Sequence, residues 1–229
     1  SFGVAAGAVA VRVALSANVI VDWTEALISG STITNASSLS VLSESSAIIR
    51  SLAVNVGAGA VGVNVSVLGN MVTNNVRSTI TGSDVTAAGD IVVSAQDVAP
   101  SVIPAWIVPT QYQAVLNSIL NDSPIDLDAN ILSATVNVAG GGVGVNVSLV
   151  GNLIVNTTEA KIDNSTVTST TGKVELSSAS ESGITALNVG VAGGGVAVNV
   201  VGYGNVITSI VGSTVEGGSV IDAGGAVAI

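Results

Sequence analysis

The chain of 229 residues has no cysteine and no histidine. That removes disulfides, thiol nucleophiles and the cysteine or histidine sites that hold zinc. Basic residues are scarce, five against fifteen acidic ones, for a net charge of −10. Nucleic acids are bound by clustered Lys and Arg that neutralise phosphate, so they are excluded as partners. Only 9% of residues are charged, against about a quarter in ordinary domains. Two Trp, two Tyr and one Phe cannot build the aromatic girdles of a transmembrane barrel. The uncharged run from Ile184 to Val215 is interrupted by Gly193, Gly194 and Gly195 and alternates in polarity, which argues against a membrane helix. The chain is therefore expected not to be membrane-embedded. Its opening residues, SFGVAAGAVAV, lack the basic start and cleavage motif of a signal peptide.

What remains is 48% hydrophobic, with 27 glycines, and is built largely on Val, Ala, Ser, Thr and Asn. That is too apolar for disorder, and it suits strands, where β-branched side chains pack on a pleated surface. An internal repeat organises it. AVAVRVALSAN, AVGVNVSVLGN, GVGVNVSLVGN and GVAVNVVGYGN align on Asn18, Asn70, Asn152 and Asn205, at spacings of 52, 82 and 53 residues. The period is about 52, and the second copy carries an insertion of roughly 30 residues. Downstream of each Asn, STITNASSLS, STITGSDVTAAGDIVVSAQD, NSTVTSTTGKVELSSAS and GSTVEGGSVIDAGGAVAI also align.

Short alternating segments between turn signals at Gly69-Asn70, Gly82-Ser83 and Ala88-Gly89-Asp90 predict an all-β solenoid, one continuous segment over residues 1–229. Coils of about 20 to 26 residues would place two in each repeat, making a rod roughly 35 to 45 Å long. Val61, Val63, Val65 and Val67 share one side of a strand and stack into apolar ladders. Gly62, Asn64 and Ser66 on the other side meet either water or a second packed surface. The sequence leaves open whether the valines form one core or two faces of a flattened rod. The columns at Asn18, Asn70, Asn152 and Asn205 read as a structural turn ladder of stacked amides. Glycine runs at Ala139 and Ala192 suit tight corners.

Residues 98–131 depart from the pattern. All four prolines lie there, with Trp106 and Tyr112, and QYQAVLNSIL from Gln111 to Leu120 has helical periodicity. Insertions in repeat proteins map to one face, often the binding face, so Trp106 and Tyr112 mark a candidate contact loop. Asp126, Asp128 and Asn130 have the D-x-D-x-N spacing of a calcium loop, but Ile131 replaces the turn glycine and Asn137 the closing glutamate. They are a weak metal candidate, and no cofactor is expected. The sequons Asn64-Val-Ser66 and Asn164-Ser-Thr166 follow from the composition.

The strings GVGVNVSLVGN, KIDNSTVTSTTGKVELSSAS and STITGSDVTAAGDIVVSAQD resemble the repeats of large bacterial filamentous adhesins, the haemagglutinin-like and leukotoxin-like surface proteins. The resemblance covers nearly all of the chain outside the insertion. It implies a right-handed parallel β-helix, a bacterial cell-surface or extracellular location, and a non-catalytic role as stalk or adhesive fibre. Partners would be neighbouring copies or repeats, and a host surface or glycan. The chain lacks the family's secretion and anchoring segments, so it is expected to be part of a longer molecule. Two alternatives stand beside this reading: a fibre subunit whose coils stack end to end, and a carbohydrate-active β-helix. The latter needs convergent acids with a base, whereas Arg12, Arg50, Arg77, Lys161 and Lys173 are scattered; no enzyme activity is expected.

Overall fold

The structure, a computed structural model, describes residues 1–99 and 129–229. Among these every regular element is a strand: β1 (Phe2–Ser29), β2 (Thr32–Ala36), β3 (Leu39–Ser45), β4 (Ile49–Thr81), β5 (Asp84–Ala87), β6 (Ile91–Asp97), β7 (Ile131–Asp163), β8 (Thr166–Ser169), β9 (Val174–Ser180), β10 (Ile184–Gly193), β11 (Val196–Glu216), β12 (Val220–Ala223) and β13 (Val227–Ala228). They form three sheets. β1, β4 and β7 build the first, with β10 and β11 both paired to β7; β2, β5, β8 and β12 build the second; β3, β6, β9 and β13 build the third. All pairings are parallel. The expected helix at Gln111–Leu120, with Trp106 and Tyr112, lies outside the described residues.

Register follows the sequence alignment. Asn18 pairs with Asn70, Asn70 with Asn152 and Asn152 with Asn205. A residue therefore meets its parallel partner 52, 82 or 53 positions away. The expected coil of 20 to 26 residues is not what the chain builds: one layer uses the whole repeat. Each sheet is four layers deep, so the stack rises only about 14 Å from first layer to last.

The reason lies in the long strands. β4 has 33 residues, which would reach about 110 Å if straight. Instead it doubles back at Gly59–Ala60. Across the fold, Asn55 Nδ2 donates to Ser66 Oγ at 2.6 Å, and Ser51 Oγ donates to Asn70 Oδ1 at 2.6 Å. Further out, the hydroxyls of Ser43 and Ser78 lie 2.7 Å apart. Each layer is thus a flat, two-walled fin whose tip is a glycine corner: the inbound arm (residues 49–59 in β4) faces the first part of the outbound arm (61–72), and the third sheet, with Ser43, Ser94 and Asp97, faces the rest. The expected turn at Gly69-Asn70 does not occur, because both residues lie inside β4. The short second sheet closes the broad end, entered by left-handed turns at Gly30, Gly82, Asn164 and Gly217. There Val41, Ile80, Val85, Ile91, Val93, Ile162, Val167, Val174 and Leu176 form the main apolar cluster.

The tip requires glycine. Gly7, Gly141 and Gly194 have φ of 155°, 145° and 150°, a region other residues avoid. A Cβ on Gly141 would stand 1.6 Å from the Gly59 carbonyl oxygen of the layer above. Gly141→Ala should therefore destabilise the fold by about 3 kcal/mol. Circular dichroism melts would register this as a midpoint lowered by roughly 6–12 °C.

Candidate functional site

The fin inverts the usual placement of polar and apolar side chains. On the outbound arm of β4, Gly62, Asn64, Ser66, Leu68, Asn70, Val72, Asn74, Val76, Ser78 and Ile80 point inward and are buried, while Val61, Val63, Val65 and Val67 point outward and are half-buried. The valine ladders are thus outer faces of a flattened body, and the small polar side packs against the facing arm. Inside, bands of polar and apolar side chains alternate along the fin. Asn55 and Ser66 precede Ala53, Leu68 and Val150; Ser51 and Asn70 follow; then come Ala47, Ile49, Val72, Ile131 and Ile154.

The polar bands are hydrogen-bonded both across the fin and along the stack. Asn18 Nδ2 donates to Asn70 Oδ1 at 2.8 Å, Asn70 Nδ2 to Asn152 Oδ1 at 2.9 Å, and Asn152 Nδ2 to Asn205 Oδ1 at 2.8 Å. Ser51 and Ser133 tie this column to the inbound arm. These four asparagines stand in mid-strand, so they do not supply turns. Left-handed asparagines occur instead at Asn35 and Asn164, with φ of 60° and 46°. A second column escaped the sequence reading. Ser31, Ser83 and Ser165 each receive at their backbone N–H the hydroxyl oxygen of the next serine, Ser83, Ser165 and Ser219, at 3.1 to 3.2 Å. The available signal was a serine recurring just after the left-handed turn residue.

One carboxylate interrupts the amides. Asp97 is 1% exposed. It accepts hydrogen bonds from Asn74 Nδ2 at 2.8 Å, from Ser180 Oγ at 3.2 Å and from Asn156 Nδ2. Burial is the main cause raising its pKa above the ordinary carboxylate value; the bonds from Asn74 and Ser180 oppose this, and the charge of Asp22 adds to it. Among the described residues, Asn74 Oδ1 and Asn156 Oδ1 are buried without a hydrogen-bond partner, as are Asn55 Oδ1 and Asn64 Oδ1, whose columns end against Gly3 and Arg12 of β1.

The inbound wall carries Arg50, while the outer wall formed by the outbound arms carries no charge until the base. There Arg77 lies over Trp23, 5.0 Å from the ring centre, and 3.6 Å from Glu159. No protein-family model, curated protein or solved structure matches the chain. Among the described residues no three His, Cys, Asp or Glu side chains are grouped to hold a metal, and no helix is long and apolar enough to cross a membrane.

Of the calcium-loop residues, Asp126 and Asp128 lie outside the described residues. Asn130 is fully buried; its Nδ2 donates to the Ala47 carbonyl at 3.1 Å and its Oδ1 accepts from Gly183 N–H at 3.1 Å. It therefore staples β7 to its neighbours in the stack. Asn64 of the first sequon is also fully buried. A shallow groove lined by Asn18, Ile20, Ile49 and Arg50 uses its one cation to bind a carbonyl, with Arg50 Nη1 donating to Ala129 O at 2.9 Å.

Two substitutions probe the interior. Asn70→Ala strips partners from Asn18, Ser51, Ser133 and Asn152 at once. It should cost about 3 kcal/mol, measured by denaturant titration. Asp97→Asn should raise the melting midpoint at pH 7 by about 2–4 °C, since a flip of one of the two facing amides, Asn74 or Asn156, matches the donor and acceptor of the new amide. The sign follows from linkage. With its folded pKa raised, Asp97 contributes most stability below its unfolded pKa, and that contribution is lost as pH rises through the folded value. The advantage of the variant should therefore shrink on acidification, when melts at neutral and acidic pH are compared.

Proposed function

We propose that the chain is a structural segment of a large bacterial surface adhesin, a non-catalytic β-solenoid stalk. In this reading it is a right-handed parallel β-helix of four copies of the 52-residue repeat, interrupted once by residues 98–131. The observation that supports it is the match between sequence columns and spatial columns: residues aligned on the repeat are hydrogen-bonded neighbours in consecutive layers. A body of this kind grows by adding like layers, each interacting only with its neighbours. Length is then set by repeat number, as a stalk requires. Its site residues are structural, its location is the cell surface or the extracellular space, and its partners are neighbouring repeats, with a host surface or glycan met through the 98–131 insertion.

A second reading, a fibre subunit stacking end to end, is favoured by the outermost strands. Among the described residues β1 pairs only with β4, and β11 only with β7, so each presents a strand edge to which another chain can add.

Antibodies raised against the segment should label intact, unpermeabilised cells that make the parent protein, and brief protease treatment of those cells should remove the signal. Labelling that appears only after permeabilisation would sink the surface assignment. Negative-stain electron microscopy of tandem fusions should show length increasing by about 19 Å per added copy of the segment. Particles of constant length would count against the stalk.

A further inference from the structure

The outward face of the outbound arms is a regular apolar array. Its first four outward positions hold Val9, Val11, Val13 and Leu15 in β1; Val61, Val63, Val65 and Val67 in β4; Val143, Val145, Val147 and Leu149 in β7; and Val196, Val198, Val200 and Gly202 in β11, in register. In the inner layers the valines of β4 and β7 are half-buried, and Leu149, beside Gly202, is 46% exposed. Further towards the base the outward positions of β4 are Gly69, Met71 and Thr73, so the uncharged wall continues beyond the valines. From Val61 to Thr73 it measures about 19 Å by 43 Å, on the order of 800 Å². Isolated monomers rarely expose more than about 300–600 Å² of contiguous apolar surface.

We propose that this face is a lateral interface for a second copy of the chain, packed wall to wall. Three observations select that occupant. The area reaches the roughly 800 Å² per partner of a stable complex. The ridges have the spacing of stacked strands in one direction and of alternate residues in the other, and a second copy of the chain repeats both over the same length and number of layers, so β-branched ridges interdigitate across the join as in packed sheets. Finally, no carboxylate stands on the wall between Val61 and Thr73 or at the positions paired with them, so two copies meet there without bringing like charges into contact. A bilayer fits less well. The sheet is open, and hydrocarbon leaves the edge groups of β1 and β11 unpaired. The interior cannot turn outward to relieve the exposure, because the walls lie too close near the tip for valines to fit between them, a Cβ on Gly62 standing 3.1 Å from the Gly57 carbonyl oxygen. The inference is independent of the stalk reading, since a stalk need not pair laterally.

The test is sedimentation equilibrium of the full 229-residue chain from about 1 to 100 µM. A dimer is expected. Val63→Lys combined with Val145→Lys, both on inner layers paired on each side, should weaken it at least about a hundredfold, with unchanged circular dichroism. If that variant misfolds, the nearly isosteric Val63→Thr with Val145→Thr should still weaken it about tenfold. Asn75→Lys with Thr157→Lys, on the same wall beyond the apolar array, should leave it unchanged. A monomer at every concentration would overturn the proposal. So would open-ended oligomers that ignore the Val63 and Val145 substitutions, which indicate end stacking, or a monomer that floats with phosphatidylcholine vesicles, which indicates lipid.

Discussion

Everything in this molecule rests on parallel, in-register stacking of identical polar side chains inside a narrow space. A buried amide with no partner costs about 1–3 kcal/mol, so an interior containing Asn70, Asn137, Asn146 and Asn152 is tolerable only where each layer supplies what the next one lacks; at Asn55 and Asn64, where columns end, Oδ1 is left unpaired. Asn70 shows how: its carbonyl accepts from Asn18 and Ser51, and its amide donates to Ser133 and Asn152. An amide has a donor end and an acceptor end, so a column of them continues from layer to layer without change. The arrangement holds at a spacing of one strand and at no other register.

Narrowness is what allows so polar an interior. The two walls meet on glycine near the tip, where a Cβ on Gly62 would stand 3.1 Å from the Gly57 carbonyl oxygen and 3.2 Å from that of Gly140. That level holds only Ala10, Gly62, Gly144 and Ala197, and Arg12, one step further in, lies in the space that Gly3 leaves open. Apolar packing is concentrated at the broad end, where three sheets converge around Ile80, Ile91 and Ile162. The fin therefore draws its cohesion from two sources: burial at the base and hydrogen-bond columns towards the tip. With the small side chains committed to the inside, strand alternation sends the valines outward. The apolar wall is the geometric complement of the amide interior.

Much of this was legible in the residues. The four aligned asparagines, the parallel all-β character, the glycine corners at Ala139 and Ala192 and the turn at Gly82-Ser83 correspond to positions in the fold. Two expectations went astray for related reasons. Gly69-Asn70 has turn chemistry, but Asn70 finds its partners along the stack and across the fin, so the strand runs on. The coil was expected at half its size because strands are usually short, whereas β4 reaches 33 residues by doubling back. Of the candidate site residues, Trp106, Tyr112, Asp126 and Asp128 lie outside the described residues, and Asn130 is engaged by backbone groups on both sides.

By itself the sequence determined which residues stack on which, because columns of like side chains at a fixed period favour one parallel register. It also determined that valines and asparagines occupy opposite sides of a strand, since alternation is a property of the backbone. It did not determine which side faces in. Only the tertiary structure decided that, by folding each long strand back on itself at glycine. Once the walls came close enough for Asn55 to reach Ser66, only the small polar side fitted between them.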